Sequence, residues 1–430
     1  MNAKTNAIKY FAVAAATLTA GVCAAGEITV SDVAFAQTSK RDVVITYKLT
    51  GSESAVVTVD VLTNGVSIGE QNFTSLKGAV NTVVAPSATA TNRIYWAATK
   101  DWPEHKIDSG VSVKVSARAL TNPPDYFVLD LTTGDRKYYN STNALPDGGL
   151  ANDIYKLTKL VMRRIPAGGE TFTMGFPSED TGLNGSYSYY INRGVTTPPH
   201  SVSLTDDFYM GIYEMTAKQY ATVWPSQSNL TPDVQYPQTE KQPRAYVPTA
   251  NIRGSAKYWP RDGHEVQDDP DRFIKLIRGI GGGVEFDLPT EAQWEFACRA
   301  GSTTLWYDNK TWGDRGGTSL YMWANDKSET ASTHEVGLLK PNAYGLYDMH
   351  GNVAETCLDT WVTGANDYYT NDAVDPTGVD ATEAGTHRVM KGGGYKTDKV
   401  YCGSGMRDAA GGSAYNADVG FRVVCPAVAR

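Results

Sequence analysis

Between residues 27 and 120, hydrophobic and polar positions alternate with the two-residue period of strands that bury one face. Asp42-Val-Val-Ile-Thr-Tyr-Lys-Leu49, Ala55-Val-Val-Thr-Val-Asp-Val-Leu62, Ala79-Val-Asn-Thr-Val-Val84, Asn92-Arg-Ile-Tyr-Trp-Ala97 and Val111-Ser-Val-Lys-Val-Ser-Ala117 are rich in β-branched residues. Turn formers such as Thr50-Gly-Ser52 and Thr63-Asn-Gly65 separate them. With no helical period among them, five to seven short strands predict an immunoglobulin- or fibronectin-like β-sandwich over residues 26–120, a spacer or docking module with nothing catalytic in it. Asn122-Pro-Pro-Asp125 punctuates its end, and residues 121–160 read as a connecting segment with one strand at Tyr126-Phe-Val-Leu-Asp-Leu131. Beyond it the pattern changes: apolar runs are short and irregular, glycine is frequent, and two helices stand out. One runs from Thr216 to Val223. The other runs from Glu291 to Arg299, where Thr290 can cap it and Trp294, Ala297 and Cys298 share a core-facing stripe.

Composition narrows the function classes. The chain has 430 residues, 41% hydrophobic and 20% charged, an ordinary globular balance with room for two cores. A formal net charge of −8 with no basic run argues against nucleic acid or an anionic membrane as the main partner. Tyrosine outnumbers phenylalanine 25 to 11, which suits half-buried strand positions and equally a hydrogen-bonding surface. Residues 1–25 read as a secretory signal peptide: Lys4 and Lys9 precede a short apolar run from Phe11 to Val22, and Ala24, Ala25 and Gly26 offer a cleavage site. The run is too short to span a bilayer, and no other segment is predicted to cross one, so the protein is expected to be secreted, periplasmic or at the cell surface. Cleavage takes Cys23 and leaves Cys298, Cys357, Cys402 and Cys425, an even set that in an exported protein predicts disulfides, with three possible pairings.

Three blocks follow one another in the last third: Leu288-Pro-Thr-Glu-Ala-Gln-Trp-Glu-Phe-Ala-Cys298, Asn342-Ala-Tyr-Gly-Leu-Tyr-Asp-Met-His-Gly-Asn-Val353, and Lys391-Gly-Gly-Gly-Tyr395 closing on Gly420-Phe-Arg-Val-Val-Cys425. Ile165-Pro-Ala-Gly-Gly-Glu-Thr-Phe-Thr-Met-Gly175 and Phe208-Tyr-Met-Gly-Ile-Tyr-Glu-Met-Thr216 precede them. In this order the blocks resemble the formylglycine-generating enzyme family, also called the sulfatase-modifying-factor family. The resemblance implies an α+β architecture over residues 161–430, a C-type-lectin-like domain poor in regular structure. It also implies a structural Ca2+ held by the carboxylates of Asp348 and Glu355 and the carbonyls of Gly351 and Val353, oxygen donors of the kind a hard cation takes. The plainer reading is that Asp348 and Glu355 cap loop backbone.

The oxidases of this family carry two cysteines, five residues apart, after a Gly-Gly-Ser-Tyr turn, and bind copper(I) through them. By position Cys402 matches the second cysteine, Thr397 stands at the first and Gly394 at the serine. A hydroxyl does not replace a thiolate on copper(I), so copper is not expected. The resemblance pairs Cys402 with Cys425, as in non-oxidase relatives, and leaves Cys298 to Cys357. No histidine cluster, nucleophile elbow or phosphate loop supports another chemistry. The expected function is a non-catalytic ligand-binding or structural protein. Its ligand, a protein or glycan, would meet Tyr395, Thr397, Tyr401, Arg407, Asp408, Tyr415 and Asn416 on the loops of the C-terminal domain. The alternative is an oxidase of protein cysteine working through an altered site at Cys402.

Overall fold

The computed structural model describes residues 28–38, 40–103, 105, 110–176, 195–227, 238–254, 269–309, 316–325, 332–361, 371–378, 387–410 and 416–427. The expected signal peptide with Cys23, and Tyr415 of the expected binding face, lie outside the described residues. The chain divides into two compact units, Met1–Val128 with Arg136–Asn152 and Leu129–Asp135 with Asp153–Val428.

The first unit contains β1 (Thr29–Gln37), β2 (Val43–Thr50), β3 (Ala55–Thr63), β4 (Val66–Ser67), β5 (Lys77–Gly78), β6 (Thr82–Val84), β7 (Asn92–Trp96) and β8 (Val111–Ala119). One sheet runs β1-β2-β7-β5; the other runs β4-β3-β6, with β8 antiparallel to β3 along its length. Along β2, Val43, Ile45, Tyr47 and Leu49 are buried while their neighbours are half-exposed, which is the alternation read from the sequence. These side chains share one core with Ile94 and Trp96 of β7, Ala55, Val57 and Val61 of β3 and Val115 of β8. Each fully buried aliphatic or aromatic group contributes about 1.5–3 kcal/mol, so this core alone accounts for two sheets closing on each other. Trp96 also satisfies its indole N–H, donating to Asn72 O at 2.9 Å and to Asp101 at 3.2 Å. Strand β1 was not singled out because an irregularity between Ser31 and Ala34, with Asp32 at φ 52°, breaks its alternation.

The segment expected to be a connection is folded. It carries β9 (Tyr126–Asp130) and β10 (Arg136–Tyr139), and Asp130 Oδ1 closes the turn after β9 by accepting from the N–H groups of Thr132 and Thr133.

The second unit is loop-rich. Its strands are β11 (Lys159–Ile165), β12 (Glu170–Met174), β13 (His200–Leu204), β14 (Phe208–Gly211), β15 (Ala354–Thr360), β16 (Ala373–Val374), β17 (Arg388–Lys391), β18 (Asp408–Ala410), β19 (Val419–Gly420) and β20 (Val424–Pro426). They form sheets that include β11-β14-β20, β12-β13-β16 and β18-β17-β15-β19. Helices α1 (Ala217–Val223) and α3 (Glu291–Arg299) were both legible, and α2 (Phe273–Ile280) between them was not singled out. Both legible helices open with a capping box, Thr216 with Gln219 and Thr290 with Gln293. Helix α2 is eight residues long and buries Phe273, Ile274 and Ile277 along one stripe, a helical period that the sequence carries. Phe273 stacks on Tyr220 of α1 at 4.9 Å, with Phe421 edge-on at 5.1 Å.

Helix α3 is pinned by a buried layer of charge. Glu295 Oε1 accepts from Arg299 at 2.7 Å and from the N–H of Gly175 at 2.8 Å, while Oε2 accepts from Lys391 Nζ at 2.9 Å. Glu291 receives Arg407 at 2.9 Å and Lys391 at 3.4 Å. Burial opposes ionisation of Glu295, but Lys391 and Arg299 outweigh it and hold its pKa below the ordinary carboxylate value. Asp359 on β15 accepts the N–H of Glu291 at 2.6 Å. Burial, then the charge of Glu291, pushes the Asp359 carboxyl up to about 7.

In the folded protein Asp359 therefore keeps a proton over a pH range, from about 4 upward, in which the unfolded carboxyl has lost it. Stability falls as pH rises through that window, because only the folded state must hold the proton. Asp359→Asn still accepts from Glu291 but does not titrate. Its melting temperature relative to the parent is expected to improve between about pH 5 and about pH 8, by the equivalent of on the order of 2 kcal/mol. A difference independent of pH would show that Asp359 ionises normally.

Candidate functional site

The separated sequence blocks meet on one carboxylate. Glu355 of β15 is 1% exposed, and its Oε2 accepts from Trp294 Nε1 and from Arg422 Nε, both at 2.6 Å. Its Oε1 accepts from the second arm of Arg422 at 2.5 Å. The Arg422 guanidinium also donates to the carbonyls of Gly211 and Tyr347, each at 3.0 Å. Beside this pair lies Glu214, which accepts from Asn352 Nδ2 at 2.7 Å and from the N–H of Val353 at 3.1 Å. Burial, then Asp348 and Glu355, raises the Glu214 pKa well above the ordinary value. Glu214 was missed although it sits inside a quoted block, where a carboxylate among apolar residues is the signal that points to it.

This geometry bears on the implied calcium set. Gly351 is required by its backbone, with φ 84° and the Trp323 carbonyl only 2.0 Å from where a Cβ would stand. Asp348 Oδ2 accepts from the N–H of Gly337 at 2.6 Å, and Oδ1 is buried with no hydrogen-bond partner among the described residues. Burial pushes the Asp348 carboxyl up to about 6. Both oxygens of Glu355, however, are held by Arg422 and Trp294, and a dication would have to displace a guanidinium. The donor set thus fits a buried acid–arginine pair and does not fit calcium. His350 is neutral in the interior: Nδ1 donates to Cys402 O at 2.7 Å, Nε2 accepts from the N–H of Tyr307 at 3.2 Å, and burial brings its pKa down to about 3.

Directly above His350 the glycine turn closes over Cys402. The Cys402 Sγ lies 3.9 Å from Thr397 O, and a Cβ at Gly393 would approach it to 2.7 Å. Thr397 shuts the turn, its hydroxyl accepting from the N–H of Gly394 at 3.0 Å and its own N–H donating to Gly394 O at 2.9 Å. Serine is absent at Gly394 for a steric reason: a Cβ there would stand 2.7 Å from Asp418. Burial, then Asp398 and Asp418, drives the Cys402 pKa far up, which favours the thiol over the thiolate.

The expected disulfides do not form; among the described residues the cysteines carry no S–S bond. Cys402 faces the Gly393–Thr397 turn, whereas Cys425 lies in β20 opposite Tyr209 of β14, in another sheet. Cys298 turns to Ser404 Oγ at 3.5 Å, and Cys357 to Glu355 O at 3.8 Å. Helix α3 and the charge layer already fix these elements, and each sulfur is packed in its own place.

The expected binding residues divide. Arg407 is structural, 5% exposed, paired with Glu291 and lying 4.8 Å over the Trp361 ring. Tyr395 is buried, its N–H donating to Asn352 O at 2.9 Å. Thr397, Tyr401 and Asn416 are half-buried, and Asp408 is exposed. Around Asn352 the structure adds groups that no sequence signal marked. Trp323 and His334 stack at 3.7 Å, Lys396 stands 5.3 Å over the Tyr395 ring, and Tyr246 holds a left-handed φ of 56° with its N–H on Asn416 O. A bulky residue in that conformation stores strain of the sort found at binding sites.

Two outcomes follow from this chemistry. Alkylation of the native, unreduced protein is expected to leave Cys298, Cys357, Cys402 and Cys425 unmodified. Denaturant alone, without reductant, should expose all of them; blocked sulfurs under those conditions would restore the disulfides. Chelator is expected to leave the melting temperature unchanged, whereas Glu355→Gln, which leaves Arg422 without its counter-charge, should lower stability by about 3–5 kcal/mol in denaturant titration. A chelator-induced fall would return a cation to the Asp348 loop.

The sulfatase-modifying factor enzyme 1-like domain family matches residues 158–427. A formylglycine-generating enzyme of Thermomonospora curvata is 36% identical over 130 residues, 27% of this chain and 40% of that enzyme. Serine/threonine-protein kinase pkn1 of Chlamydia pneumoniae is 35% identical over 137 residues, 31% of this chain and 20% of the kinase. The chain thus spans 20% to 40% of the length of these curated relatives. Among solved structures, PvdO from Pseudomonas aeruginosa is similar at 21% identity and a TM-score of 0.47, covering 62% of this chain and 94% of that one. With its sequence blocks gathered on Glu355 and the match extending over residues 158–427, the chain belongs to the sulfatase-modifying factor enzyme 1-like domain family.

Proposed function

We propose that the chain is an exported, non-catalytic member of this family that binds a protein or glycan ligand on the aromatic face around Asn352. The observation that carries the reading is the state of Cys402: a fully buried thiol, 0% exposed, with the Thr397 hydroxyl spent on the glycine turn where an oxidase would present a second thiolate. Copper(I) needs accessible, deprotonated sulfur, and this site offers neither. The half-buried Trp323–His334 pair and Tyr246, with the exposed Lys396, supply ring faces and a cation, the composition of surfaces that bind without reacting. Export through residues 1–25 belongs to the same reading, as does an immunoglobulin- or fibronectin-like role for the N-terminal unit. Burial of the thiols supports it, since it would shield them from an oxidising compartment.

Copper(I) titration against a competing chelator tests the catalytic part. The parent and Cys402→Ser are expected to behave alike, with no stoichiometric tight site, and the protein should leave a cysteine-containing peptide unoxidised under air. Tight one-to-one binding lost in Cys402→Ser would overturn the reading and make the chain an oxidase with an altered site.

A further inference from the structure

The N-terminal unit, read from sequence as a spacer, contains a cleft of about 550 Å³. That is the size of an ordinary small-ligand site. Its lining includes Val44, Tyr95 and Lys77, which register places side by side across neighbouring strands of the sheet β1-β2-β7-β5, and reaches Val43, Phe73, Val80 and Trp96 of the core. Tyr95 is 48% exposed, which is unusual for an aromatic side chain in the middle of a sheet. Lys100 and Lys137 line the same cleft. None of Lys77, Lys100 and Lys137 is in an ion pair among the described residues, in a chain whose net charge is −8. Asp42 and Asp147 also line it, leaving one positive charge in excess. Thr38 Oγ1, at its edge, is buried with no hydrogen-bond partner among the described residues.

We propose that this cleft binds an acidic sugar, a hexuronate unit of a glycan. The Tyr95 ring offers a flat, partly apolar face to the C–H side of a pyranose. The lysines are compact ammonium groups with three donors each, suited to a carboxylate that must be gripped without fixed bidentate geometry. The carboxylates of Asp42 and Asp147 accept from sugar hydroxyls. A cleft open to solvent admits one unit of a longer chain. This site is independent of the face proposed on the C-terminal unit.

The test is isothermal titration of the full chain with digalacturonate, with galactobiose as the neutral counterpart and inorganic phosphate as the anion without a sugar. Digalacturonate is expected to bind, to weaken with added salt, and to lose about tenfold or more in affinity in the Lys77→Gln/Lys137→Gln variant and in Tyr95→Ala. These side chains stand at the surface, so the variants keep their fold, which an unchanged melting temperature verifies. Equal binding of galactobiose would overturn the acid preference, and equal binding of phosphate would overturn the sugar. No binding of digalacturonate at millimolar concentration would overturn the site.

Discussion

The C-terminal unit depends on one buried contact, the Glu355–Arg422 pair with Trp294 at its side. A carboxylate and a guanidinium taken out of water together are tolerated only when nearly every donor and acceptor is met, and here they are. Trp294 brings helix α3, Arg422 brings the strand region after β19, and the carbonyls of Gly211 and Tyr347 bring β14 and the loop before Asp348. In a unit with little regular structure, this convergence replaces the long ladders that would otherwise hold distant segments in register.

A second layer of charge adjoins this contact, with Lys391 of β17 paired in register with Glu355 of β15. Glu291, Glu295 and Asp359 face Lys391, Arg299 and Arg407, all buried. Lys391 leads directly into the glycine turn, so the layer fixes where that turn begins. The turn then folds back over Cys402 and is locked by Thr397. A functional face built this way is rigid at its base, while its rim of Tyr246, Trp323, His334 and Lys396 comes from loops that the base positions.

The two units solve the same problem by different physics. The N-terminal unit closes two sheets on an apolar core, and its polar groups are largely spent on turns and on Asp101, which gathers Thr74, Ser75 and Trp96. That arrangement leaves Tyr95 and Lys77 side by side on the outer face of the sheet β1-β2-β7-β5. The C-terminal unit has spent many of its cations internally.

Strands β2, β3, β6, β7 and β8 of the N-terminal unit, the capped helices α1 and α3 and the core stripe of Trp294, Ala297 and Cys298 were determined by local pattern, because periodicity and capping act within a few residues. The family was legible for the same reason, since its blocks are contiguous. Strand β1 escaped because a bulge breaks its period. What Glu355, Arg407 and the cysteines do was decided only by tertiary structure. Glu355 has a calcium ligand's chemistry until Arg422, sixty-seven residues on, takes both its oxygens. Arg407 has a binding residue's chemistry until Glu291 takes it inward, and an even set of cysteines predicts bridges until packing holds the sulfurs apart. A side chain's type is local, but whether its charge or sulfur is already satisfied depends on partners that only the fold brings within reach.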